Sequence, residues 1–214
     1  MSSGKKGARA APKETGKPST WGGTKEAAVT HDRFNLYAVT PLVILTLASY
    51  AVPSSQLTHT VLSYATMTYV LFDILYNLAV PQCQPNLMRW ATIMLHHVVT
   101  VWLVLHPCLH LENADMTAGA TIVEINTLIL TVNRNLKWKS LTYAFYFTWV
   151  TMRLIWYPYL TYVHHIRMTT WGASVFDYYY NQTILTVVVL CALNWLWTYE
   201  VVSGLLLKPP KEKK

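Results

Sequence analysis

Met94-Leu95-His96-His97-Val98-Val99-Thr100 places two adjacent histidines in the middle of an apolar run from Asn86 to Leu105. A helix needs about 20 mostly apolar residues to span the hydrocarbon of a bilayer. An ionisable group held near mid-depth is costly there, and marks a functional site by default. Neighbouring residues on a helix point about 100° apart, so the two rings cannot serve one point and need separate partners. Thr100 stands four residues after His96 and three after His97, within reach of either ring for its hydroxyl.

The composition agrees with a membrane reading. Of 214 residues 53% are hydrophobic and 13% charged, against about 25% charged in an ordinary soluble domain. Lysine is absent between Lys25 and Lys137 and again between Lys139 and Lys208, so the net charge of +7 sits at the chain ends and in short interruptions. Charge placed that way is a topology signal and not a nucleic-acid surface. Cys83, Cys108 and Cys191 have neither metal-type spacing nor an even count.

The fold expected is all-α: a polytopic membrane protein with six transmembrane helices around a central polar cavity. The apolar segments are 35–52, 57–80, 87–105, 116–136, 141–163 and 183–207, separated by Pro-rich, basic or polar breaks. Residues 1–34 read as a disordered basic tail, 35–207 as the membrane domain and 208–214 as a second basic tail. Seven basic residues up to Arg33, then Arg134, Lys137, Lys139 and the last four lysines, all fall on one side of a six-span arrangement, which makes both termini cytoplasmic. Asn181-Gln182-Thr183 then forms a sequon on the opposite side, close to the sixth span.

Each span after the first carries polar residues that lipid cannot solvate: Asp73, His96 with His97, Glu124 with Asn126, Arg153, and Asn194. Counted from the cytoplasmic ends at 1.5 Å per residue, the histidines and Glu124 reach similar depths. They are expected to form one site, with Glu124 orienting an imidazole that acts as base or nucleophile. Asp73, Thr100, Asn126, Thr127, Arg153 and Asn194 are the expected cavity residues, with Arg153 paired to a carboxylate or a lipid phosphate. No metal site is expected. His106-Pro107-Cys108-Leu109-His110 and His164-His165 keep a membrane hydroxylase or desaturase as a remote alternative.

His96-His97-x-x-Thr100-x-x-Leu103, preceded by Phe72-Asp73 and followed by Glu124-Ile125-Asn126-Thr127 and Asn133-Arg134, resembles the TLC-domain family over roughly residues 57–207. That family includes the ceramide synthases and the translocating-chain-associating membrane proteins. In a gapless match Val123, Glu124 and Thr127 stand where the ceramide synthase signature has His, Asp and Asp, so the likeness is to the smaller TLC-domain proteins rather than to true ceramide synthases. The resemblance implies lipid metabolism, sphingolipid or acyl-lipid, in the endoplasmic reticulum. It implies an N-acyltransferase using His96 or His97, with acyl-CoA as co-substrate and no permanently bound cofactor. The alternative is a non-catalytic protein that binds or senses lipid. Expected partners are membrane lipids and a long-chain base or acyl chain, with a homodimer as an assembly the sequence allows, and no nucleic acid. The end Lys211-Glu212-Lys213-Lys214 resembles a dilysine retrieval signal with Glu212 at a lysine position.

Overall fold

The computed structural model describes residues 22–206 except residue 175, and these are helical without strands. Three long helices open it: α1 (Lys25–Ala51), α2 (Gln56–Ala79) and α3 (Leu87–Leu109). Each starts on a polar cap set after a break in the apolar pattern. Thr24, Ser55 and Asn86 accept bonds from the amides of Ala27, Thr58 and Arg89, at 3.3, 3.3 and 2.8 Å. The short α4 (Met116–Thr121) and α5 (Glu124–Leu136) follow, the latter closed by Lys137 in the left-handed region at φ 55°. Then come α6 (Lys139–Thr148), a π-helical stretch (Trp149–Trp156), α7 (Tyr157–Thr170) and α8 (Tyr178–Leu206).

Two boundaries differ from the expectation for a physical reason. The first helix begins ten residues before position 35, because Lys25 to Phe34 carry helix formers behind a Thr24 cap and His31 has a buried partner to dock on. Polar composition alone had assigned that stretch to the tail. The fourth apolar segment is two helices, not one: turns at Ile122 and Val123 divide α4 from α5 and put Glu124 in a helical first turn, where a carboxylate suits the positive end of the helix dipole.

The helical rods close into a ring by their packing. α1 packs on α2, α2 on α3, α3 on α8, α8 on α7 and the π stretch, α6 on α5, and α5 back on α1. The start of α1, the α2–α3 turn, the α5–α6 turn and the end of α8 share one face of the ring. Thr24 N–H to Gln82 C=O at 2.9 Å, Arg134 to Asp32 at 2.7 Å and Arg89 to Glu200 at 3.4 Å tie them together.

Polarity is inverted relative to a water-soluble bundle. Asp73 is 2% exposed while its neighbour Phe72 is 59% exposed. Asn77, Asn126 and Asn194 are likewise buried, while Leu57, Leu75, Phe147 and Leu185 face outward. Exposed apolar surface on this scale marks contact with lipid or a partner. Three helices, Lys25–Ala51, Leu87–Leu109 and Tyr178–Ser203, are long and apolar enough to cross a membrane, which fits membrane association. α2 is long enough too, but Asp73, Asn77 and its hydroxyl residues reduce its apolar character, and the fourth and fifth segments are divided.

Candidate functional site

A cavity of about 380 Å³ lies inside the ring, and α1, α2, α3, α5, the π stretch and α8 each give side chains to its wall. Pro85 and Arg134 at its mouth are exposed, whereas Asp73, His97, Asn126 and Arg153 in its wall are buried.

Asp73 links two helices through its carboxylate. Oδ1 lies 2.7 Å from His31 Nε2 and also accepts from Asn77 Nδ2 at 3.2 Å. Oδ2 lies 2.5 Å from His97 Nε2 as an ion-pair contact whose angle falls outside hydrogen-bond geometry. The carboxylate that holds His97 is therefore Asp73, and Glu124 makes neither a hydrogen bond nor an ion pair with either histidine ring among the described residues. The reason is spacing: Asp73 on α2 and His97 on α3 are neighbours in the ring, while α5 faces them across the cavity. His31 stacks on Tyr76, with centroids 5.1 Å apart. Asn77 is fixed in turn by Gln84 Nε2, which donates to its Oδ1 at 2.9 Å. Burial pushes the nearby Cys83 thiol up to about 11, so it remains a thiol rather than a thiolate near neutral pH.

Arg153 is 7% exposed and sits on the π stretch, a local widening of the helix that often accompanies functional sites. Nε donates to Asn126 Oδ1 at 3.1 Å, Nη1 to Asn194 Oδ1 at 3.2 Å and Nη2 to Thr127 Oγ1 at 2.9 Å. Asn126 also donates to Phe145 C=O at 3.0 Å and Thr148 Oγ1 at 2.9 Å, bracing the turn before the π stretch. The guanidinium lies over Trp149, 5.1 Å from the ring centroid. The expected carboxylate partner is absent: among the described residues no acid lies within 4.0 Å of this guanidinium, because the three acceptors in reach are amides and a hydroxyl.

His96 lines the same cavity and meets Trp197 edge-on, at 5.3 Å between centroids. Among the described residues its ring makes no hydrogen bond, which leaves the ring open to a ligand. Thr100 does not bond either ring. Its hydroxyl donates back to the His96 carbonyl at 2.8 Å, the usual choice of a mid-helix threonine in apolar surroundings. His97 differs from His96, since both of its ring nitrogens are enclosed. Beyond His96, His97 and Glu124 a small inner pocket continues to Tyr69, Thr100 and Tyr157. Tyr69 also forms part of an apolar outer groove between α1 and α2 with Phe34, Pro41 and Phe72, and its hydroxyl donates to Asn35 Oδ1 at 3.1 Å.

His96, His97, Glu124, Asp73, Asn126, Thr127 and Arg153 thus line one cavity. Thr100 lies in the inner pocket, and Asn194 acts through Arg153. Sequence reasoning missed His31, although His31 and Asn35 lie one helical turn apart just before the first apolar run. It also missed the mouth, where Arg134 pairs with Asp32 and Arg89 lies 5.0 Å over Trp197. At the opposite end His106 and His110 pack ring to ring at 4.8 Å beside Tyr179. No group of three His, Cys, Asp or Glu among the described residues is arranged to hold a metal ion. No protein-family model, no curated protein and no solved structure matches the chain.

Proposed function

We propose that the chain is a six-span membrane protein of lipid metabolism, TLC-like and resident in the endoplasmic reticulum, that takes the polar end of a lipid into its central cavity. The observation that carries this reading is the position of Tyr69: one aromatic side chain separates an apolar groove on the outside of the ring from the small inner pocket, which adjoins the polar chamber at His96, His97 and Glu124. A polar head inside and an apolar chain outside would meet at that wall. Small-molecule sites of about 300–1,000 Å³ are the usual size, and the main chamber falls within that range at about 380 Å³.

The chemistry best suited to these residues is acyl transfer from a coenzyme A thioester to a lipid amine. The amine nitrogen attacks the thioester carbonyl, the new C–N bond forms and the C–S bond breaks. His96 accepts the proton lost by the amine and returns it to the departing thiolate. His97, clamped on Asp73, positions its neighbour, at 5.4 Å between ring centroids. One arrangement favours the non-catalytic alternative: both ring nitrogens of His97 are buried, and Glu124 makes no ion pair with either imidazole among the described residues. Purified protein given labelled acyl-CoA and a long-chain base separates the two. An enzyme forms amide product, and His96→Ala lowers the rate by about 10²-fold or more while lipid retention persists. Absence of product from protein that retains lipid rejects catalysis on these substrates and leaves the binding role.

Topology is tested separately, on the basis of the asymmetry of Lys and Arg. Single cysteines placed at positions 10 and 212, in a background lacking the native three, should react with an impermeant maleimide only from the cytoplasmic side of sealed vesicles. Lumenal labelling of either position rejects the six-span model.

A further inference from the structure

The cavity wall holds three arginines and three carboxylates, and most of them are already matched. Arg134 pairs with Asp32 at 2.7 Å, and Arg89 with Glu200 at 3.4 Å. Asp73 is shared by His31 and His97. Two groups remain. Glu124 has neither a hydrogen bond nor an ion pair among the described residues, and Arg153 has only the neutral acceptors Asn126, Thr127 and Asn194.

These two opposite charges do not neutralise each other by contact. Arg153 is fixed by three acceptors from α5 and α8, so it cannot swing to Glu124 without giving up bonds. Both are tied to α5: Thr127, which receives Arg153 Nη2 at 2.9 Å, lies three residues after Glu124, a rise of about 4.5 Å along the helix axis. A guanidinium carries five N–H donors, and three are used here, which leaves two for a ligand. Both groups line the same chamber. The wall therefore presents a cation held by three bonds and a carboxylate without a partner among the described residues, carried by α5 three positions before the threonine that receives the cation.

We infer that the cavity selects a zwitterionic head group, with an ammonium set at Glu124 and a phosphate or carboxylate set at Arg153. The inference rests on the lipid reading above and names the class of lipid. A purely anionic head would bring its charge against Glu124, and a purely cationic head would leave Arg153 without a counter-ion. A neutral head would leave both unmatched. An ammonium joined by a short linker to an acidic group matches both at once, and it also places an amine beside His96.

The test uses the full chain in dodecyl maltoside, a neutral detergent, with native mass spectrometry of retained lipid. The probes have matched chain lengths: phosphatidylethanolamine, 2-aminohexadecanoic acid, phosphatidic acid, a primary long-chain amine and diacylglycerol. Both zwitterions should be retained about 10-fold or more above the other three, the gain expected from one charge-assisted contact. Whichever of the two is favoured identifies the anion as phosphate or carboxylate. Glu124→Gln removes no hydrogen bond or ion pair among the described residues, so it should fold and melt within a few degrees of the parent, the share of the helix dipole, while shifting preference to phosphatidic acid. Equal retention of phosphatidic acid or of the amine, or an unchanged order in Glu124→Gln, overturns the inference and leaves the lipid-binding reading standing. Failure to retain any of the five, diacylglycerol included, overturns both.

Discussion

Asp73→Ala is expected to destabilise the protein by about 3–5 kcal/mol, the usual cost of removing one partner from a buried ion pair. The carboxylate is 2% exposed and meets His31 from α1 and His97 from α3, at 2.7 and 2.5 Å. Its loss would strand the buried His97 imidazole and leave His31 with only Asn35 Nδ2 at 3.4 Å, while Asn77 keeps its bond to the backbone carbonyl of residue 73. For a chain of this length the loss corresponds to a fall on the order of 10 °C in Tm, readable from tryptophan fluorescence in detergent. His31→Phe should cost less, since it removes one ring's contact and can keep the stack on Tyr76. The double variant His31→Phe/Asp73→Ala should then melt above the sum of the single losses, because the under-bonded His31 ring is gone. An Asp73→Ala protein within about 1 kcal/mol of the parent would mean that the carboxylate is solvated through the cavity mouth, and would remove its role as the clamp between α1 and α3.

The ring was readable from sequence wherever hydrophobicity was the signal. Leu87 to Leu105 and Leu57 to Val80 match α3 and α2 to within a few residues, since polar caps start both and Pro81 follows α2, although α3 runs through Pro107 to Leu109. Periodicity failed where tertiary contacts override composition. Residues 25–34 are polar enough to pass for a tail, and only their docking on Asp73 and Arg134 shows that they belong to the bundle. The break at Ile122–Val123 has no proline or glycine to announce it. Depth counting brought His96, His97 and Glu124 to one cavity, as expected from their shared level. It could not say which acid would hold His97, because depth along a helix says nothing about rotation around it. The α2–α3 neighbourhood gave that place to Asp73 and left Glu124 on the far wall. Arg153 was legible as a costly buried cation but not as one satisfied by amides. Its acceptors come from α5 and from α8, and no local pattern relates those positions.

Arg153→Met should abolish most retention of the zwitterionic lipids, by about 10- to 100-fold, the range of a charge-assisted hydrogen bond converted to affinity. Methionine keeps much of the length of the side chain and its apolar stem but supplies no donor, so Asn126 Oδ1, Asn194 Oδ1 and Thr127 Oγ1 each lose the bond that Arg153 gives them. A moderate drop in thermal stability should accompany the change, about 1–3 kcal/mol for each acceptor left dry, less where cavity water reaches it. Arg153→Lys separates charge from geometry. A single ammonium cannot span acceptors on two helices and still face the chamber, so Lys should recover part of the stability while recovering little of the lipid. If Arg153 were only a strut between α5 and α8, Arg153→Met would melt earlier yet bind the same lipids after correction for folded fraction. If its head reached water by snorkelling along the stem, neither property would change. Loss of zwitterionic lipid that Lys fails to restore, in protein still folded at the assay temperature, is the result that places the ligand's anion at this guanidinium.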